Sequence, residues 1–269
     1  MSTFLRAIAA LVVGTMTVTA HGAGTTSTAA RPNSASGKPS IVLVHGAFAD
    51  ASSWSKVIPL LERDGYEVTA VQIPLTGYAE DVATTKRVIA AQPGPVVVVG
   101  HSYGGAVITE AAANDARVKA LVYVEAFAPE VGETIAAAGA KYPAPPLGDA
   151  LKPDAAGFLW VDRAKFRDVF CADVPIADAR IAAATQKPIA ATSFDAAPTA
   201  AAWKSLPSWF TVGTEDRAIN VDLMRAQARR AHGNVVEGVW SHVPFLSQPR
   251  TISKVIEDAA NSASGRASP

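Results

Sequence analysis

Ser102 stands inside Gly100-His101-Ser102-Tyr103-Gly104, a G-x-S-x-G pattern with the apolar run Val96 to Val99 before it and Gly105-Ala106-Val107-Ile108 after it. That order reads as strand, tight turn and helix, the setting that lifts a serine hydroxyl clear of a sheet as a nucleophile. Glycines on both sides relieve the crowding such a turn creates. A purely structural turn would need none of this. A serine hydroxyl is a weak nucleophile at neutral pH, so it requires a base, and the base requires an orienting carboxylate. Of the five histidines, His21 lies in the N-terminal segment, His45 and His101 sit in glycine turns where a positional role is expected, and His232 follows Arg229 and Arg230 at a helix end facing solvent. His242 remains as general base, in Trp240-Ser241-His242-Val243-Pro244-Phe245, just beyond the last apolar run.

The carboxylate has two candidates. Asp216, in Gly213-Thr214-Glu215-Asp216-Arg217, follows the penultimate apolar run and gives the chain order Ser, Asp, His. Its neighbour Glu215 is expected to face solvent. Glu125 closes the run Ala120 to Val124 and would also stand near the active edge; its plain role is a hydrogen bond to loop backbone. Asp216 is favoured on chain order, with Glu125 the alternative acid. A developing oxyanion needs preorganised N–H donors. Tyr103, at the helix start, and Ala47, in the turn Val44-His45-Gly46-Ala47-Phe48, are placed to supply them. Phe48 and Phe245 are expected as apolar walls of the substrate pocket. No two histidines have the H-E-x-x-H spacing of a metal site, so no metal or cofactor is expected.

Positioning these groups requires a sheet whose carboxyl edge gathers several loops. Ile41–Val44, Val68–Ile73, Val96–Val99, Ala120–Val124, Trp209–Val212 and Val235–Val239 are short, continuously apolar runs, the signature of strands covered on both faces of a parallel sheet. Helical spacing lies between them, at 57–65, 82–91, 221–231 and 252–260, with Pro59 starting or kinking the first. Alternation of this kind predicts an α/β domain with right-handed crossovers. It lapses over 127–205, an Ala- and Pro-rich insertion too long for a plain loop. A small helical cap is expected there. Phe158, Trp160, Phe166, Phe170, Phe194 and Trp203 should form mostly its own core, with some of them lining a pocket beneath it.

Arg6, the apolar run Ala7 to Val18 and the small residues that follow have the three parts of a secretory signal peptide. Residues 1–23 are therefore expected to be removed on export, 24–39 to form a flexible leader, 40–261 the domain and 262–269 a disordered tail, with a periplasmic or secreted destination. The apolar run is too short for a comfortable membrane span, and Cys171, the single cysteine, permits no internal disulfide. The formal net charge of zero leaves no electrostatic footprint for nucleic acid. A small, weakly charged substrate fits better.

Five stretches carry a family resemblance: HGAFADASSW from His45, GHSYGG from Gly100, YVEAFAPE from Tyr123, GTEDRAI from Gly213 and SHVPFLSQP from Ser241. Through them the chain resembles the α/β-hydrolase superfamily, and within it the branch of bacterial esterases related to plant methyl esterases and hydroxynitrile lyases. The resemblance implies an α/β-hydrolase fold, a Ser102–His242–Asp216 triad, an oxyanion hole from Ala47 and Tyr103, and cleavage of carboxylic esters of small to medium apolar substrates through an acyl-enzyme. Amide, thioester or perhydrolytic chemistry could run on the same triad. The lyases carry a lysine directly after the catalytic histidine, where this chain has Val243, which argues against cyanohydrin cleavage. Glu125 stands where the resemblance implies a small residue in many members of that branch, which leaves the choice of acid open. A non-catalytic binding protein on this fold is the remaining alternative.

Overall fold

A computed structural model describes residues 37–264. The expected signal peptide, residues 24–36 of the leader and 265–269 of the tail lie outside the described residues. In chain order the strands are β1 (Ser40–Val44), β2 (Val68–Val71), β3 (Val96–His101), β4 (Val118–Val124), β5 (Leu151–Pro153), β6 (Phe158–Val161), β7 (Ile189–Ala190), β8 (Ser208–Gly213) and β9 (Asn234–Gly238). The helices are α1 (Ile58–Arg63), α2 (Tyr78–Ala91), α3 (Tyr103–Ala111), α4 (Ile135–Gly139), α5 (Phe166–Phe170), α6 (Ile176–Thr185), α7 (Val221–Arg230), α8 (Pro244–Ser247) and α9 (Pro249–Ala263). Pro59 is the second residue of α1 and starts that helix rather than kinking it. Helix α9 runs past residue 261, so the first residues assigned to the tail are helical.

Each of the six apolar runs is a strand of one sheet in the order β2-β1-β3-β4-β8-β9, and every pairing in it is parallel. β1 and β3 are buried along their whole length because helices cover both faces. Val96 to Val99, with no exposure, form the middle of the core. Helix α9 packs across β3 and β4, while α2 packs against α3. On the two neighbouring central strands, Tyr123 and Phe210 stack with ring centroids 4.6 Å apart.

The chain passes from β1 outward to β2, then returns across β1 to place β3 on its other side. Such a reversal opens a crevice beyond the carboxyl ends of the two strands, where α/β sheets hold their ligands. The turns after β1 and β3, carrying His45-Gly46-Ala47 and Ser102, meet at that point.

The insertion over 127–205 is mixed rather than wholly helical. It holds α4, α5 and α6, but also a three-stranded antiparallel sheet, β5-β6-β7. Strands this short present no period-2 alternation, so only their antiparallel pairing with one another reveals them. Of its aromatics, Phe166 is fully buried and Trp203 is buried with its indole N–H donating to the Pro129 carbonyl, whereas Trp160, expected in the insertion's core or pocket, is exposed. Among the described residues no helix is long and apolar enough to cross a membrane.

Candidate active site

Ser102 has φ 53° and ψ −123°, a left-handed region that side chains rarely enter. The surrounding contacts impose it. A Cβ on Gly104 would meet the His45 carbonyl oxygen at 2.5 Å, and one on Gly100 would meet the Gly104 carbonyl oxygen at 2.6 Å. Only glycine lets the two turns approach this closely, and the Ser102 backbone is then fixed by Ser102 N–H donating to the Val124 carbonyl and by Phe127 N–H donating to the Ser102 carbonyl. Strain of this kind recurs along the edge. Phe48 (φ 59°) follows β1, Ser102 follows β3 and Glu125 (φ 45°) follows β4, three adjacent strands.

His242 is buried, and its Nδ1 lies 2.7 Å from Asp216 Oδ2. The other Asp216 oxygen accepts from the N–H groups of Ala218 (2.7 Å) and Ile219 (2.9 Å). A carboxylate held in this way accepts the Nδ1 proton, which leaves the lone pair on Nε2. Among the described residues no group hydrogen-bonds Nε2, so it is available as a proton acceptor. His101, one residue before Ser102, connects the nucleophile turn to this loop: its Nε2–H donates to the His242 carbonyl at 2.9 Å, and the two rings lie 4.7 Å apart. Burial, followed by the His242 ring beside it, pushes the His101 pKa well below the usual histidine value, so it stays neutral.

Glu125 is fully buried but faces other partners. One oxygen accepts from Thr211 Oγ1 (2.9 Å) and Trp240 Nε1 (2.8 Å), the other from Gly213 N–H (2.6 Å). It therefore ties the end of β8 to the segment that leads into His242. Burial and the charge of Asp216 raise its pKa to about 8. Of the two carboxylates weighed from sequence, Asp216 is the one in contact with the imidazole. Glu215 is exposed, as expected, and so is His232.

Ala47 and Ser102 line one cavity of about 210 Å³. The N–H of Tyr103 opens α3, where no carbonyl one turn earlier can receive it. The Ala47 loop is braced by His45, whose Nε2 accepts from Ile73 N–H (3.2 Å) while Nδ1–H donates to the Gly46 carbonyl (2.9 Å). Burial lowers the His45 pKa to about 4, which preserves that neutral, two-sided bracing. The Tyr103 side chain points away into the core, with its hydroxyl donating to Asp81 at 2.7 Å.

Phe48 is in the wall of this cavity, together with Phe170 and Phe194 from the insertion and Leu223 from α7. Phe245 is not. Its ring packs on Trp54 at 4.6 Å and edge-on to His101 at 4.7 Å, and it faces a second cavity instead. Adjacency to His242 in the chain did not place it on the serine's side. Phe170 is a wall residue that motif reading passed over; its only signal was an aromatic side chain in the insertion. Ser241 and Asp173, joined by a hydrogen bond, tie that insertion to the His242 loop. Among the described residues no three His, Cys, Asp or Glu side chains are grouped to hold a metal ion. The groups present can perform nucleophilic attack by a hydroxyl, proton transfer through an imidazole and stabilisation of an anion by two amides.

A family model described as "Alpha/beta hydrolase family" matches residues 41–255. An alpha/beta hydrolase of Aspergillus novofumigatus is 28% identical over 249 residues, covering 84% of this chain and 98% of its own. A pyrethroid hydrolase of Sphingobium wenxiniae is 26% identical over 251 residues, with 82% and 87% covered. Among solved structures, a methylesterase from Arabidopsis superposes with a TM-score of 0.68 at 19% identity, covering 83% of this chain and 99% of that one.

Proposed function

The chain belongs to the alpha/beta hydrolase family, and from that premise we propose that it is a serine esterase cleaving carboxylic esters of small to medium apolar substrates. The observation that carries the reading is the Asp216–His242 hydrogen bond at 2.7 Å, with Nε2 unpartnered, and a serine held at φ 53° in the turn whose preceding residue, His101, hydrogen-bonds the His242 carbonyl. In this reading Nε2 takes the Ser102 proton as the oxygen attacks the ester carbonyl. The Ala47 and Tyr103 amides receive the oxyanion. As the tetrahedral intermediate collapses, His242 returns the proton to the departing alkoxide; a water activated by the same imidazole then attacks the acyl-enzyme and releases the acid.

The full-length relative named a pyrethroid hydrolase supports an apolar ester, as does the apolar lining of the Ser102 cavity. Val243 after the histidine favours hydrolysis over cyanohydrin cleavage, because no ammonium stands there to hold a leaving cyanide. Export to the periplasm or medium belongs to the same proposal and rests on the N-terminal sequence alone; the N-terminus of protein recovered from the periplasm should be His21 or Gly24.

The test is chemical. A fluorophosphonate should add its mass to a peptide containing Ser102, and Ser102→Ala should abolish both the adduct and turnover of a short-chain nitrophenyl ester. Undiminished turnover in that variant sinks the assignment. Equal or better turnover of amide or thioester donors in an acyl-donor panel would redirect it to those classes.

A further inference from the structure

Asp81, in the first turn of α2, is a carboxylate with no exposure and no part in the steps above. Burying such a group is costly unless its oxygens are paired, and here they are paired to two different elements. Oδ1 accepts from the Leu75 N–H at 2.7 Å, in the loop after β2, and Oδ2 accepts from the Tyr103 hydroxyl at 2.7 Å. A carboxylate presents acceptors only, so it receives both donors at once, where an amide would offer one acceptor and one donor. Leu75 itself has φ 61°, a conformation that a non-glycine residue keeps only where its surroundings hold it.

Followed in both directions, the hydrogen bonds of Asp81 lead to the two amides assigned to the oxyanion. On one side is Tyr103, whose own N–H opens α3; anchoring its hydroxyl fixes how that residue sits at the turn. On the other side Leu75 is joined through Pro74, with its locked φ, to Ile73. The Ile73 N–H donates to His45 Nε2 at 3.2 Å, and His45 Nδ1–H donates to the Gly46 carbonyl at 2.9 Å. That carbonyl and the Ala47 N–H belong to one planar peptide unit, so a bond that holds the first also aims the second. The insertion grips the same loop. Ala190 N–H donates to the Leu75 carbonyl at 2.9 Å, and the Lys187 ammonium donates to the Ile73 carbonyl. Phe194, a wall of the Ser102 cavity, has its ring 6.0 Å from that of Tyr103.

We propose that Asp81 is a positioning residue for the oxyanion hole: by tying Tyr103 to the loop after β2, it closes a hydrogen-bonded brace that runs behind the site from the Tyr103 amide to the Ala47 amide and fixes their separation. This rests on the esterase reading and adds to it a residue that touches neither substrate nor reacting atoms. Loss of one oxyanion donor costs roughly 10²- to 10³-fold in kcat, and a misplacement of about 1 Å roughly 10²-fold. A slackened brace leaves both donors present but badly aimed, so its cost falls at or below the lower figure. The anion exists only after attack, so the loss belongs to kcat and not to KM. Burial raises the Asp81 pKa to about 6 against the pull of its Tyr103 and Leu75 donors, so that at about pH 8 it is ionised and accepts both bonds.

The test compares full-length Asp81→Ala, Asp81→Asn and Tyr103→Phe with Thr85→Val on p-nitrophenyl butyrate at about pH 8. Thr85 is a buried neighbour on α2 whose hydroxyl donates to the Asp81 backbone carbonyl at 2.9 Å, so its loss loosens the helix and spares the brace. Asp81→Ala and Tyr103→Phe should each lower kcat about 10- to 100-fold with KM within about threefold. The double variant should lose no more than the worse single one, because both cut the same link. Asp81→Asn keeps an acceptor for Leu75 and offers an N–H to the Tyr103 oxygen, and should recover kcat to within about fivefold of wild type; Thr85→Val should stay within about twofold and lose only stability. Hexyl trifluoromethyl ketone reads the oxyanion directly: Ser102 Oγ bonds to its carbonyl carbon, the carbonyl oxygen becomes the anion and His242 keeps the serine proton. Its Ki should rise in step with the fall in kcat/KM, while that of hexyl methyl ketone, bound as the neutral ketone, holds within about twofold. Wild-type kcat in Asp81→Ala or Tyr103→Phe, an equal loss in Thr85→Val, or a loss that leaves the trifluoromethyl ketone Ki unchanged overturns the proposal and leaves the esterase reading standing. Absence of Ser102-dependent cleavage by the wild-type enzyme overturns both. Melting curves by circular dichroism establish which variants are folded; should Asp81→Ala not fold, Tyr103→Phe, which keeps the buried ring, decides the matter.

Discussion

Replacing Asp216 by Asn and Glu125 by Gln makes nearly isosteric changes to two buried carboxylates, with very different expected consequences. Asp216 Oδ1 accepts two backbone N–H groups, from Ala218 and Ile219, and Oδ2 accepts from His242 Nδ1. An asparagine has one carbonyl oxygen, and satisfying both turn donors places it at the Oδ1 position. Its NH2 group then points at Nδ1, which must become the acceptor. The imidazole proton moves to Nε2, and the base loses the lone pair that would receive the serine proton. A wrong tautomer of this kind costs roughly 10⁴ in kcat, or about 5 kcal/mol in the barrier.

The Glu125→Gln change sets up no such conflict with the base. The carbonyl oxygen of the new amide retains the Thr211 and Trp240 donors, while its NH2 group confronts the Gly213 N–H. Because burial and the charge of Asp216 push the Glu125 pKa upward, the substitution removes less charge near neutrality than it would at an exposed glutamate. The expected loss is about 1–3 kcal/mol of stability for one orphaned donor, with kcat within about tenfold of wild type. Steady-state kinetics on a short nitrophenyl ester and urea unfolding measure the two effects separately. A Glu125→Gln enzyme down by three or more orders of magnitude, beside an active Asp216→Asn, would refute the reasoning.

Gly104→Ala would force a Cβ to within 2.5 Å of the His45 carbonyl oxygen, which is backbone and has nowhere to go; about 2 kcal/mol or more should be lost, read from the denaturant midpoint, and an unshifted midpoint contradicts the packing. Phe245→Ala would empty a fully buried site against Trp54 and His101 and should cost about 3–5 kcal/mol, by the same unfolding measurement. Glu125 also sets a pH signature. Its folded pKa of about 8 lies above the ordinary 4.5, so the native state binds more protons than the unfolded chain across that window and stability falls as pH rises through it. Wild type should therefore lose melting temperature from pH 5 to 8.5 relative to Glu125→Gln, and a pH-independent difference between the two would contradict the burial argument.

Each of the six apolar runs became a strand within about two residues; the inner strands β1, β3, β4 and β8 read as unbroken apolar runs because they are covered on both faces, whereas the edge strands depart from that expectation, β2 being half-buried and β9 largely exposed. The nucleophile turn was legible because Gly100 and Gly104 are demanded by contact distances as short as 2.5 Å. Chain order favoured Asp216, but the reason it meets His242 is local: two turn N–H groups hold one oxygen and aim the other. The side-chain walls were less accessible to sequence reasoning. Phe245 follows His242 by three residues yet lines a cavity that Ser102 does not reach, and nothing in a one-dimensional string says into which cavity a neighbour turns. The insertion's strands, two to four residues long, are held by pairing with one another rather than by a pattern each carries alone.

Phe48, Ser102 and Glu125, left-handed at the ends of three adjacent strands, have a consequence for how this protein would respond to selection for heat resistance. Each non-glycine residue in that region costs roughly 1–2 kcal/mol, so the carboxyl edge of the sheet is where the fold tolerates conformations it would otherwise reject. Glycine at 48 or 125 would relax the backbone there, and with it the aim of the Ala47 amide or the grip on Trp240. Stabilising substitutions that preserve turnover should therefore accumulate on the amino edge of the sheet and on the outward faces of α2, α7 and α9. Variants that gain stability by relaxing the carboxyl edge should be recovered as well-folded, inactive proteins.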